Sequence, residues 1–255
     1  DYHGSFEHYR DSKKKLFRLT GKNSKGLQVG IVNVEDPSAD LFATEVQNPI
    51  RYGRTSGDLR AENIKLTSSG SKYLAKIEGD SYEITCNLPG SFNVMNSLAA
   101  VATGRAVGLT KQQIETGIAN LKSVEGRMAR VDEGQNFEVI IDYAHTPDSF
   151  KKIFEEVTPT VKGKLITVFG SAGRRDAQKR GTQGQIAGEY ADVVIVTEED
   201  DRDIDGELIL DQIAKGAESA GKIREKNLFL VHERERAVAE AIRRAKKGDV
   251  VLLLG

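Results

Sequence analysis

Asp142, Tyr143, His145, Thr146 and Asp148 follow directly on Val139, Ile140 and Ile141, a short β-branched apolar run of the kind a buried strand requires. A carboxylate, a phenol and an imidazole gathered at one strand end can accept, donate and move protons. In open α/β sheets ligands bind outside the carboxyl ends of the strands, so the placement itself points to a site. Pro147 fits the first turn of a following helix, and Asp148 taken alone is an ordinary first-turn acid. Four other groups have chemical potential. Residues 170–176 read G-S-A-G-R-R-D after the apolar run Leu165–Phe169. Glycines there let backbone N–H groups cradle an anion, although the loop is neither a Walker loop nor G-x-G-x-x-G. Glu198, Glu199, Asp200, Asp201, Asp203 and Asp205 crowd around Arg202 at the end of a further apolar run. Such a charge density suits an amine-bearing ligand or a solvated acidic loop. Asn93 and Asn96 stand at i and i+3 behind Gly90, which puts two amides on one face of a first helical turn. Finally, Lys13 falls at helical spacing among Phe6, Tyr9, Leu16 and Phe17, with Lys14 and Lys15 pointing away. A lysine desolvated on such a face is partly neutral, the form that carbon dioxide carbamylates; one that snorkels to water is not.

The order D-Y-A-H-T-P-D after G-R-M resembles the Mur ligases, and among them those that add diaminopimelate or lysine to UDP-N-acetylmuramoyl-L-alanyl-D-glutamate. The resemblance runs from Asp1 to Gly255. D-Y-H-G-x-x-E-H-Y-x-x-x-K at the start is similar to the stretch whose lysine, here Lys13, becomes a carbamate beside a magnesium ion. Asn93 and Asn96 match a pair that contacts the adenine of ATP. By the same resemblance Arg127 approaches the nucleotide at a domain hinge and Asp142 holds the ribose. Tyr143 and His145 line the nucleotide or peptide side of the cleft. The loop at residues 170–180 is similar to F-G-x-G-G-x-R-D-x-x-K-R, in which the arginine matching Arg175 binds the incoming amino acid. Glu199, Asp200, Asp201 and Arg202 stand where diaminopimelate-adding members have Asp-Asn-Pro-Arg, so the arginine is kept and three positions differ. Gly255 matches the first residue of the family's Gly-Lys-Gly-His-Glu loop.

The resemblance implies an ATP-dependent acid–amino-acid ligase of peptidoglycan precursor synthesis, with ATP and Mg2+, and with Lys13 and His145 in catalytic roles. Its partners are the UDP-N-acetylmuramoyl-dipeptide and a diamino acid. Diaminopimelate is expected over lysine, because Arg202 can grip a distal carboxylate. The implied fold is the later part of a central ATPase domain over residues 1–124, followed by a Rossmann-like, doubly wound domain over residues 125–255. No G-x-x-x-x-G-K-[ST] occurs in the sequence, so the chain is expected to be a piece of a longer enzyme, inactive alone. A non-catalytic nucleotide- or peptide-binding relative and a cyanophycin-type ligase are the alternatives. A nicotinamide oxidoreductase fits less well, since the glycine loop lacks the third glycine of that fingerprint.

The elements that must hold these residues can be read from periodicity. An amphipathic helix is expected at residues 5–18 and a strand at Leu27–Val34. Leu59–Leu88 should contain two or three strands broken by S-S-G-S and E-G-D turns, followed by helices at Asn93–Val107 and Lys111–Lys122. From Ala129 onward strands and helices alternate, which argues a parallel sheet. The 37 basic and 38 acidic residues nearly cancel, giving no electrostatic case for nucleic acid or an anionic membrane. No apolar run reaches the roughly 18 residues of a membrane span, and the one cysteine, Cys86, suits core filling in a reducing cytoplasm. The four histidines show no zinc-type spacing.

Overall fold

The computed structural model describes residues 3–67 and 69–255; Asp1 and Tyr2 of the first motif, and Ser68 of the S-S-G-S turn, lie outside the described residues. The chain divides into two compact units, Asp1–Ser123 and Val124–Gly255.

The first unit contains α1 (Phe6–Lys22), β1 (Val29–Asn33), α2 (Ala39–Ala43), β2 (Asn48–Gly53), β3 (Leu59–Thr67), β4 (Gly70–Ile77), β5 (Asp80–Cys86), α3 (Phe92–Ala106) and α4 (Lys111–Asn120). Its sheet runs β1-β2-β3-β4-β5, parallel through the first three strands and antiparallel through the last three. Leu59, Tyr73 and Ile84 bury against Leu98 and Val101 of α3, and Cys86 lies in the same core. Strand β2 and the short α2 go beyond the expected elements. Pro49 weakens the strand signal of β2, yet it is tolerated because at that position only β1 pairs with the strand.

The expected stripe on α1 is corrected by the structure. Helix α1 buries no residue, and Phe6, Leu16 and Leu19 are about two-thirds exposed. Its packed face carries Lys14, whose Nζ lies 2.9 Å from Glu45, and Phe17, which stacks on Phe42 at 5.1 Å. Gly21 completes that face, since a Cβ there would collide with the Glu45 carbonyl. The close approach at Gly21 sets the rotation of the helix, so Lys14 turns inward and Lys13 is exposed.

The second unit contains β6 (Ala129–Val131), β7 (Glu138–Asp142), α5 (Pro147–Val157), a 3-10 turn (Thr158–Thr160), β8 (Leu165–Phe169), α6 (Gln178–Tyr190), β9 (Val193–Val196), α7 (Gly206–Ser219), β10 (Leu228–Leu230), α8 (Arg234–Arg244) and β11 (Val250–Leu254). The strand order is β10-β9-β8-β11-β7-β6, parallel except for the edge strand β6. From β7 to β10 the chain steps one way across the sheet, and from β10 to β11 it returns. Right-handed crossovers therefore place α8 on the opposite face from α5, α6 and α7. The packing agrees: Ile166, Val168 and Val251 cluster with Ala237 and Ala241 of α8, whereas the alternate residue Phe169 meets Phe150 of α5 edge-on at 4.9 Å. This is the expected doubly wound sheet. Its register sets Leu254 beside Asp142, Leu253 beside Val168, and Phe169 and Leu230 beside Val196, so five carboxyl ends open onto one edge.

Candidate functional site

At that edge Asp142 ends β7 and is buried. Its Oδ2 accepts from the Met128 amide at 2.9 Å and its Oδ1 from the Ala144 amide at 2.9 Å. Burial pushes this carboxyl above the usual carboxylate range, and the two backbone donors and Arg127 oppose that shift. The Tyr143 amide also donates to the Gly126 carbonyl at 2.7 Å. Asp142 thus ties the 126–128 segment, in which Met128 has φ 49°, to the end of β7. Each carboxylate oxygen keeps one acceptor position for a further partner.

Arg127, Tyr143 and His145 extend from this turn as a ladder of flat groups. The Arg127 guanidinium lies 5.5 Å from the Tyr143 ring centroid, and the His145 ring lies 5.0 Å from the same ring. His145 Nδ1 is 2.9 Å from the Tyr143 carbonyl. All three side chains are exposed, so a planar ligand can stack on them. Lys179 of α6, to which sequence reasoning gave no role, donates from Nζ to the His145 carbonyl at 3.1 Å. Burial lowers the Lys179 pKa, while Glu199 and Asp176 oppose that shift.

The loop after β8 is drawn tight against the loop after β9. A Cβ on Gly173 would collide with the Asp201 carbonyl, and the Gly173 amide donates to the Asp200 carbonyl at 2.7 Å. Arg180, also unassigned from sequence, is buried and supports this loop, donating to the Ala172 carbonyl at 3.1 Å and to Gln212 Oε1 at 2.7 Å. Arg175 is exposed beside it, and Arg174 pairs with Asp203.

The acids after β9 are sorted by their partners. Asp200 Oδ2 accepts from Arg202 Nε at 2.7 Å. Asp201 Oδ2 lies 3.1 Å from His232 Nε2, and Glu198 Oε2 lies 3.6 Å from His232 Nδ1. Asp205 caps α7 by accepting from the Glu207 amide. Glu199 has no ion-pair partner among the described residues; Lys179, Arg202 and the Gly255 end of β11 surround it. Arg202 has its η nitrogens free of hydrogen bonds among the described residues, so the fork stays open while Asp200 fixes its stem. Glu198, Asp201 and His232 are the set whose ligand-type atoms come within 4.8 Å of one another. As placed, however, each ring nitrogen faces a carboxylate, leaving no nitrogen free for a metal. His232 and Arg234 went unnoticed as site residues. The rule that singled out Asp142, a polar residue at a strand's carboxyl end, would have found His232.

In the first unit the structure joins the expected amide pair to each other. Asn93 is buried, donates to the Pro89 carbonyl at 2.6 Å, and accepts from Asn96 Nδ2 at 2.9 Å. Asn93 therefore braces the turn before α3, and the exposed Asn96 is the amide that solvent or a ligand can reach. Lys13 Nζ sits 5.4 Å from the Tyr9 ring centroid. An ammonium has no lone pair, so unmodified Lys13 does not fit a magnesium ion.

Residues 126–255 match the Mur ligase glutamate ligase domain and residues 1–104 match the Mur ligase middle domain. The chain belongs to the Mur ligase family. It is 37% identical over 267 residues to UDP-N-acetylmuramyl-tripeptide synthetase of Roseiflexus sp., with 100% of this chain and 52% of the relative covered. The enzyme of the same name from Treponema denticola is 42% identical over 273 residues, covering 100% and 51%. UDP-N-acetylmuramoyl-L-alanyl-D-glutamate--2,6-diaminopimelate ligase 1 of Clostridium acetobutylicum is 36% identical over 259 residues, covering 100% and 51%. The chain thus spans about half the length of the curated relatives it matches. Among solved structures, a UDP-N-acetylmuramoyl-L-alanyl-D-glutamate--2,6-diaminopimelate ligase aligns with TM-score 0.59 at 27% identity, covering 100% of this chain and 52% of that one. The UDP-N-acetylmuramoylalanyl-D-glutamyl-2,6-diaminopimelate--D-alanyl-D-alanyl ligase from Acinetobacter baumannii aligns with TM-score 0.75 at 17% identity, covering 100% and 53%, and speaks to fold alone. No described helix is long and apolar enough to cross a membrane.

Proposed function

We propose that this chain carries nucleotide- and amino-acid-binding parts of an ATP-dependent ligase that joins a diamino acid to UDP-N-acetylmuramoyl-L-alanyl-D-glutamate. In that reaction the γ-phosphoryl of ATP converts a substrate carboxylate to an acyl phosphate. The amine of the diamino acid attacks the acyl carbon, and inorganic phosphate leaves from the tetrahedral intermediate. The residues here bind and orient. Asn96 of the first unit offers its amide to an adenine edge, and Arg127 and Tyr143 of the second offer flat faces to a planar ligand. Asp142 holds the turn that carries them and has acceptor positions left for a ribose hydroxyl. His145, held by the Tyr143 carbonyl, lines the same edge.

The observation that carries the amino-acid part is the sorting of charge after β9. Among the described residues Glu199 is the one of the crowded acids without an ion-pair or capping partner, which leaves it for an ammonium group, and the open fork of Arg202, with Arg175 on the glycine loop, suits a carboxylate. An ammonium and a carboxylate at the distal end describe diaminopimelate; lysine supplies only the first. Names among the relatives, which include both diaminopimelate ligases and tripeptide synthetases, support this substrate class. Titration calorimetry of the chain with meso-diaminopimelate and with lysine tests the reading. Diaminopimelate should bind more tightly, and Arg202→Ala should remove most of that preference, since one charge-assisted contact contributes about 1.5–3 kcal/mol. Equal affinity for both amino acids, unchanged in Arg202→Ala, would refute it.

A further inference from the structure

The imidazole of His232 stands between two carboxylates of one loop. Its Nε2 is at hydrogen-bonding distance from Asp201, 3.1 Å, and its Nδ1 is at ion-pair distance from Glu198, 3.6 Å. Glu198 and Asp201 approach within 4.8 Å of each other, an arrangement that like charges resist unless a cation lies between them. Only the protonated ring has an N–H on both nitrogens; a neutral tautomer presents a lone pair to one carboxylate. Asp201 Oδ1 is buried without a hydrogen-bond partner, so the imidazole is the partner on which that carboxylate depends. The backbone of His232 grips the same segment, its carbonyl accepting from the Glu198 amide at 3.1 Å and from Thr197 Oγ1 at 3.0 Å.

The other charged groups around the ring have partners of their own. Arg234 donates to the Glu198 and Leu254 carbonyls, Glu233 pairs with Arg236, and Asp205 caps α7. Gly206, at the amino end of α7, leaves the space in which the contact forms, because a Cβ there would collide with both the Asp201 carboxylate and His232 Nε2. Its φ is not in the left-handed region, so alanine at 206 perturbs this contact without straining the backbone.

We propose that His232 is a positioning residue: its ring, set between Glu198 and Asp201, ties the two together, fixes the 198–203 loop, and leaves Glu199 and Arg202 as the groups that face the amino acid. The purpose of the loop rests on the function proposed above; the clamp itself does not. Hydrogen–deuterium exchange of the 198–204 amides in the whole chain, without ligand, tests it. His232→Ala and Gly206→Ala should each speed that exchange roughly tenfold, the scale of one partly exposed charge-assisted hydrogen bond, while 250–254 is unchanged. His232→Gln keeps one donor and should recover part of the protection. Unchanged exchange in either alanine variant, or a glutamine variant that recovers no protection over alanine, overturns the proposal. Because no amino acid is added, failure of this test leaves the functional reading standing, and failure of diaminopimelate binding leaves the clamp standing.

Discussion

Replacing Asp142 with asparagine should destabilise the second unit by about 2 kcal/mol, chiefly through the turn it holds. The carboxylate accepts two backbone bonds of 2.9 Å, from Met128 and Ala144, at a buried position. Asparagine keeps one acceptor and turns an NH2 group toward the other amide. One charge-assisted bond of about 1.5–3 kcal/mol is lost, and a buried N–H is left facing a donor. Relief of the burial penalty on the charge offsets part of that loss, which brings the net to the stated value. Alanine removes both bonds and should cost about 3–4 kcal/mol. Urea denaturation followed by circular dichroism reads this directly. With a slope of about 2 kcal/mol/M, the asparagine variant should shift the midpoint by about 1 M. The pH dependence has a definite sign. Burial raises the folded pKa of Asp142, so between the ordinary carboxylate pKa and the folded value the native state binds more protons than the unfolded chain. Its stabilising contribution is complete below the unfolded pKa and is lost as pH rises through the folded one. The wild-type advantage over Asp142→Asn should therefore be larger near pH 4 than at pH 7. A variant within about 0.5 kcal/mol of wild type at both pH values would refute the clamp, because that is the scale of an ordinary surface substitution.

Two further outcomes follow from the residues present. The 255-residue chain by itself should release no phosphate from ATP, as its sequence has no Walker loop to cradle the β- and γ-phosphates; steady release abolished by Asp142→Ala would contradict this. Lys13, exposed on α1, should remain a plain lysine in this chain, and a carbamate carbon signal under labelled carbon dioxide that disappears in Lys13→Ala would show that the local surface suffices for the modification.

Much of the architecture was legible in the sequence because its signals are local. Apolar runs such as Leu165–Phe169 and Val250–Leu254 are long enough, and polar enough at their ends, to mark buried parallel strands and the edge on which ligands gather. Thr146 and Pro147 mark the start of α5 by capping chemistry alone, and the structure shows the capping box. The resemblance of D-Y-A-H-T-P-D to the Mur ligases is a matter of order along the chain, so it too needed no fold.

Tertiary structure decided what depends on distance between segments. Periodicity gave α1 an apolar stripe but could not choose the face that packs; the close approach of Gly21 to Glu45 did, and it turned Lys14 inward in place of Lys13. Spacing showed Asn93 and Asn96 as equals, whereas the Pro89 carbonyl, fixed by the preceding turn, takes Asn93 out of reach of a ligand. The crowded acids after β9 look alike in sequence. They become different groups only when β10 brings His232 from 31 positions away to Asp201, and Asp200 fixes the stem of Arg202, leaving Glu199 without an ion-pair partner among the described residues. Ionic partners are set by contacts of a few ångströms between residues far apart in the chain, and no local pattern encodes that proximity.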